Sequence, residues 1–322
     1  MHTAIEGWKQ HLVRDTGLDP STVAQYVEDV RRFTTWLTDA QDPGASLAVA
    51  DLTVQNAREY RNHLLDAGRA PATVNRALIS LALFVDAVGG RADNPFRRID
   101  RVEVVARPPR ALTRNEWHAV RRAAERAASR DCGLAQALAC LMRYAGPRVG
   151  EVAALQLADV QVSARRGLLI IRRGKGLKHR EVPLVLEARE TLQEYLGQRK
   201  KLAARWERRM QAYQQPSPSW AEWPDGHLFL GQRGPLTERG IREIVTKLGV
   251  AARLEAPLGP HALRHTFAKA LLDPTAYGLD RPPAPITAVQ ELLGHSDIGT
   301  TAIYARSTHA DLARIMGDSH QE

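Results

Sequence analysis

Cysteine is nearly absent. Cys132 and Cys140 are the only two in 322 residues, and they are not spaced as a zinc or redox motif. A disulfide scaffold is excluded, and both thiols are expected as small buried apolar groups. No apolar run approaches the length of a membrane span, so no membrane partner is expected. The opening Met-His-Thr-Ala-Ile-Glu lacks the basic-then-apolar order of a secretory signal, and a cytoplasmic location is expected. No internal repeat or low-complexity tail is present. Acidic residues are in short supply as well, and unevenly so. The net charge is +9, which points to a polyanionic partner. Residues 1–105 hold 12 Lys/Arg against 14 Asp/Glu, leaving 33 against 22 for the remainder. The whole basic excess therefore lies after residue 105.

What is present suffices for two domains: 322 residues, 44% hydrophobic. Asp19-Pro20 reads as the cap and first residue of a helix, on which Val23, Tyr26, Val30, Phe33 and Leu37 follow a helical period. Thr53 caps a second helix running to Gly68. A third starts near Thr73 and carries Val74, Leu78, Leu81, Val85 and Val88 on one face. With a weaker helix at Trp8–Val13 and a turn at Asn94-Pro95, residues 1–105 are expected to form a small helical bundle.

Residues 106–112, with Arg107-Pro108-Pro109-Arg110 at their centre, read as an extended linker. Residues 113–322 then form the second domain. Thr113-x-x-Glu116 is a capping box launching a helix, and Leu134–Tyr144 is another, ending at Gly146. In Gly146-Pro147-Arg148-Val149-Gly150-Glu151, Pro147 suits the first position of a helix. That would place Arg148 in the first turn, where free N–H groups make an anion site. Glu151 shares its face and can hold the guanidinium; a plain surface Arg–Glu pair is the alternative. Leu168–Arg173 and Glu181–Leu186 flank Gly174-Lys175-Gly176-Leu177-Lys178 as a hairpin with a basic tip. A long basic helix is expected over 187–213, with Leu202, Trp206, Met210 and Tyr213 packing. A break at Gln214–Ser219, a short strand at His227–Leu230 and a helix capped by Thr237 follow. The fold class is thus mainly α with a small β-hairpin or sheet in the second domain.

The chemistry concentrates in the last sixty residues. Pro260 opens a helix on which His261 and Arg264 stand three apart. Thr287–Leu293 is a short apolar-periodic run that Gly294 stops, so His295 falls just beyond a helix end. Tyr304 follows nine residues later, on a short helix expected to begin near Ser296–Asp297. An arginine, two imidazoles and one tyrosine hydroxyl in such spacing suit phosphodiester cleavage.

Together these stretches resemble the tyrosine recombinases, the phage integrase family. S-T-V-A-Q-Y-V-E-D-V-R-R-F-T-T-W-L at 21–37 and T-V-N-R at 73–76 are similar to that family's helical core-DNA-binding domain. A-G-P-R-V-G-E-V-A-A-L at 145–155, G-K-G-L-K-H-R-E-V-P-L at 174–184, H-A-L-R-H-T-F-A at 261–268 and L-L-G-H-S-D-I-G-T-T-A-I-Y-A-R at 292–306 resemble its catalytic segments in order. The resemblance implies a catalytic set of Arg148, Lys175, His261, Arg264, His295 and Tyr304, with Glu151 in support. It implies a 3′-phosphotyrosyl intermediate, no metal and no nucleotide cofactor. It also implies double-stranded DNA with a short inverted-repeat core as partner, and a homotetramer on two sites. Lys178 and Arg180 of the hairpin, and Arg69, Arg76, Arg97 and Arg98 of the bundle, are expected to contact DNA. Three departures stand out: Pro147, an extension over 198–226, and a long interval after Arg264 through residues 273–285, expected as an exposed loop.

Three other readings fit parts of the pattern. His261 and His265, four apart with His295 and His309 nearby, could hold a metal, although Arg264 would repel a cation. A DNA-binding protein without catalysis, or a topoisomerase-like nicking and resealing enzyme, could share the fold. Tyr277 is a rival nucleophile.

Overall fold

The structure is a computed structural model. It describes residues 2–18, 20–40, 49, 52–89, 94–104, 110–172, 179–212, 226–231 and 234–294, with only the backbone of 40, 203, 205–207 and 209–212. Asp19, most of the linker, the Lys175 and Lys178 hairpin tip, Tyr213, the Gln214–Ser219 break and everything from His295 onward lie outside that set. So do the side chains of Trp206 and Met210. The chain divides into two compact units, Met1–Ala106 and Arg107–Glu322.

Among the described residues, the first unit is a bundle of four α-helices: α1 (His2–Asp15), α2 (Pro20–Ala40), α3 (Val54–Asp66) and α4 (Pro71–Gly89). Phe33 of α2 is its hub, edge-on to Tyr60 at 5.0 Å and to Phe96 at 5.2 Å between ring centroids. Edge-to-face pairs of this kind add roughly 0.5–1.5 kcal/mol beyond area burial. Thr53 caps α3 in a box with Asn56, and Asn94 caps a short 3-10 turn over Pro95–Arg97. Helix α1 is longer than the sequence pattern predicts. Its Ile5, Trp8 and Leu12 are buried, a helical spacing hidden among polar neighbours. Val27 is buried in the core with Tyr26 partly buried against it, and Val88 is exposed. Helix α4 corrects one expectation, because it is long and apolar enough to span a membrane by length and composition. Its Val74, Leu78, Leu81, Phe84 and Val85 are instead buried in the bundle.

The second unit is built round α6 (Leu134–Ala145), ten of whose twelve residues are buried. It packs against α5 (Arg114–Asp131), α8 (Leu186–Ala212), α9 (Glu238–Ala251) and α10 (Pro260–Leu272). The Thr113–Glu116 capping box forms on α5, and Thr237 caps α9. Short α7 (Val149–Ala154) follows α6, and α11 (Ile286–Leu293) follows α10. The hairpin gains a third strand that its pattern did not announce. Strands β1 (Val160–Val162), β2 (Gly167–Ile171) and β3 (Arg180–Pro183) form one antiparallel sheet in that order. β1 is only three residues long, too short to show a period. β4 (Leu230–Gly231) and β5 (Gly234–Pro235) make a second, two-stranded sheet.

Residues 273–285 are largely exposed, as expected, but anchored. Pro274 is buried, Thr275–Tyr277 form a 3-10 turn, and the Ala284 N–H donates to Leu271 O at 2.8 Å. Tyr277 lies with its ring over the buried guanidinium of Arg143, 5.2 Å from the centroid.

Candidate active site

Gly146 lets α6 end where it must. Its φ is 62°, a left-handed value that favours glycine, and a Cβ there would collide with the Phe267 ring of α10. The chain thus turns directly beneath α10 and delivers Arg148 beside it. Arg148 is the N-cap of α7, not a residue of its first turn, and Pro147 lies before the helix. Its backbone N–H donates to Glu151 Oε2 at 2.7 Å, and its Nη1 to Glu151 Oε1 at 2.8 Å. The expected anion site on that free N–H is therefore already filled by the chain's own carboxylate.

Glu151 carries a second arginine. Arg180 of β3 donates through Nη1 to Oε1 at 3.0 Å and through Nη2 to Oε2 at 2.7 Å. Burial alone pushes the Glu151 carboxyl up, but Arg180 and Arg148 outweigh it and hold the group below its ordinary range. Arg180 was expected to face DNA. Its guanidinium is buried instead, so that expectation does not hold for the protein as it stands.

Helix α11 ends among these groups. Gly294 takes φ 65° and donates to Gln290 O and Glu291 O, which closes the last turn but leaves later carbonyls without helical partners. Three arginines fill them. Arg180 Nε donates to Leu292 O at 2.9 Å, Arg264 Nη2 to Leu293 O at 2.6 Å, and Arg148 Nη2 to Gly294 O at 3.2 Å. Cations there also match the negative end of the helix dipole. Arg264, buried on α10, reaches Gly146 O as well, at 2.5 Å. The helix end that leads directly to His295 is thus tied to Arg148, Arg180 and Arg264 at once.

His261 stands exposed in the first turn of α10. Partial desolvation pushes its pKa down, and the charges of Arg242, Arg264 and Arg148 add to that. The imidazole is held neutral at neutral pH, the form that accepts a proton. Arg242 of α9 had no motif to mark it; only the packing of α9 brings its charge to bear here. His261 and His265 have ring centroids 6.3 Å apart. Among the described residues no group of three or more His, Cys, Asp or Glu could hold a metal ion. Lys175, Lys178, His295 and Tyr304 lie outside the described residues. In the bundle, Arg69 and Arg98 are exposed, whereas Arg76 pairs with Asp29 and Arg97 with Asp86.

The phage integrase family model matches residues 110–311, and that of the phage integrase N-terminal SAM-like domain matches residues 5–88. The chain belongs to the phage integrase family. This recombinase is 30% identical to tyrosine recombinase XerC of Pediococcus pentosaceus, over 96% of this chain and 94% of that one. It is 28% identical to tyrosine recombinase XerD of Lacticaseibacillus casei, over 99% of both. Its fold is similar to that of a lambda integrase dimer bound to a COC′ core site, with TM-score 0.67, 17% identity and 96% of each chain covered. A second similar fold is XerH bound to a palindromic difH substrate after cleavage, with TM-score 0.65, 21% identity, and 92% of this chain and 78% of that one covered. It is a site-specific tyrosine recombinase, an enzyme that breaks and rejoins DNA strands.

Proposed function

We propose that Tyr304 is the nucleophile of this recombinase and that Arg148 and Arg264 hold the phosphate it attacks. One observation supports this most: two guanidiniums from separate elements converge on Leu293 and Gly294, the residues immediately before His295. Each is a planar, permanently charged fork suited to non-bridging phosphate oxygens, where negative charge grows in the transition state. A tyrosine hydroxyl has an ordinary pKa of about 10 and needs a partner to take its proton. His261, held neutral, is that partner, and His295 donates to a non-bridging oxygen. As Tyr304 Oη bonds to phosphorus, the bond to the 5′-oxygen breaks, and Lys175 protonates the departing oxygen. A 3′-phosphotyrosyl link remains. A 5′-hydroxyl from the partner duplex then attacks it and releases the tyrosine, so the bond energy is conserved and no nucleotide is consumed.

The partner is double-stranded DNA with a short inverted-repeat core, met by four copies on two sites. Solved neighbours include a lambda integrase tetramer on a Holliday junction, and the cytoplasm is where such DNA would be encountered. The second unit, with the whole basic excess, makes most phosphate contacts, Lys178 among them. Arg69 and Arg98 add contacts from the bundle; Arg76 and Arg97 do so with part of their charge already offset by Asp29 and Asp86. Residues 1–105 serve as the DNA-gripping domain, 106–112 as the linker and 113–322 as the catalytic domain.

The test is covalent trapping on a nicked duplex in the presence of EDTA. The unsubstituted chain is expected to form an adduct, and Tyr304→Phe to bind the duplex without forming one. A normal adduct yield from Tyr304→Phe would move the nucleophile elsewhere, with Tyr277 next. Loss of the wild-type adduct on chelation, restored by zinc or magnesium, would reinstate a metal mechanism.

A further inference from the structure

Three consecutive carbonyls at the end of α11 each accept from a different arginine. Two of these arginines have a phosphate role above. Arg180 has none, and its buried guanidinium cannot reach DNA without abandoning both oxygens of Glu151. We propose that Arg180 is a positioning residue for strand cleavage, acting through Glu151 on Arg148 and through the Leu292 carbonyl on the end of α11.

Geometry supports this first. Two parallel N–H···O bonds from Arg180 fix the plane of the Glu151 carboxylate. The remaining lone pairs of that carboxylate then hold the backbone N–H and Nη1 of Arg148. Without Arg180 the carboxylate is free to turn, and the Arg148 fork turns with it. Charge supports it second. Arg148 with Glu151 alone would be a neutral pair. Arg180 makes the group two cations to one anion, which leaves a net positive charge for the phosphate. Packing supports it third, because a Cβ on Gly294 would stand 2.7 Å from Arg180 Nη1. The glycine that ends α11 is what admits this arginine. Arg180, Glu151 and Leu292 thus form one connection from β3 through α7 to α11.

The inference rests on the proposed phosphate role of Arg148, and single-turnover adduct formation tests it on a nicked duplex selected for cleavage by the wild-type chain. Arg180→Met is expected to slow the reaction by about a hundredfold. Its Kd for the same duplex stays within about threefold, and the salt slope of binding is unchanged. Arg180→Lys, which keeps the charge but not the fork, regains about tenfold over the methionine variant. In an Arg148→Lys background, Arg180→Met costs less than about tenfold, because the group it positions is already impaired. Three results would overturn the proposal. One is an unslowed Arg180→Met; another is a salt slope reduced by about one, the mark of a direct phosphate contact. The third is the same hundredfold loss with and without Arg148. Should Arg180→Met not fold, Arg180→Lys decides alone: about tenfold slowing at unchanged Kd supports the role, and no slowing contradicts it. Tyr304→Phe is run beside these. An adduct from it would unseat the nucleophile, while the rate comparison would still report on Arg180.

Discussion

Arg180 and Arg143 are both buried in the second unit, and in opposite ways. Around Glu151, Arg180 has both carboxylate oxygens and a helix-end carbonyl, and it shares that carboxylate with Arg148. Around Arg143 no carboxylate is in reach of a salt bridge among the described residues. Arg143 is 4% exposed, its Nε has no hydrogen-bond partner, and the rings of Trp117, Tyr144 and Tyr277 lie 5.1 to 5.8 Å from its guanidinium carbon. Burial lowers its pKa, since nothing nearby fully compensates the charge. The first region spends its charge on aiming other groups. The second spends it on fastening the 273–285 segment to α5 and α6.

That contrast can be broken most forcefully at Glu151. Glu151→Gln leaves two guanidiniums facing a neutral amide in a buried site, an expected loss of about 3–5 kcal/mol. Urea titration of both chains measures it. The pH dependence has a definite sign. Glu151 is held below its ordinary value of 4.5 when folded, so its stabilisation is present above that value and lost as pH falls through the folded pKa. The glutamine variant should lack that acid-side decline. At Arg143 the effect should be smaller and of the other kind. Arg143→Met gives up cation–π attraction but removes a buried, incompletely partnered charge. A net change within about 1 kcal/mol is expected. A loss as large as that of Glu151→Gln would mean the two regions are alike.

Local signals made much of the fold legible. Thr113 with Glu116, Thr237, Pro260 and Gly294 each declare a helix end within four residues, and each end lies where the pattern puts it. The Arg148–Glu151 pair was legible for the same reason. What was not legible depends on distance along the chain. Arg180 meets Glu151 across 29 residues and Leu292 across 112, and no spacing rule connects them. Spacing alone therefore assigns Arg180, with Lys178 of the same hairpin, to DNA. The helix starts two residues later than the pattern puts it, because Pro147 can open a helix but here precedes the Arg148 cap. Arg143 sits inside an apolar helix run with no motif, and its aromatic neighbours are the next residue, Tyr144, and two distant ones, Trp117 and Tyr277. Sequence spacing thus found the groups proposed for chemistry sooner than the groups that hold them.

The account's central claim is that the arginines at the end of α11 serve cleavage while Arg143 serves the fold. The most direct measurement compares Arg264→Lys with Arg143→Met in one experiment, reading single-turnover cleavage and DNA affinity on the same duplex. Arg264→Lys should cleave about 10²- to 10³-fold more slowly at little-changed affinity, because a lysine cannot reproduce the fork on a phosphate in the transition state. Arg143→Met should cleave at the wild-type rate. An unimpaired Arg264→Lys, or an Arg143→Met chain that binds normally but does not cleave, would contradict it.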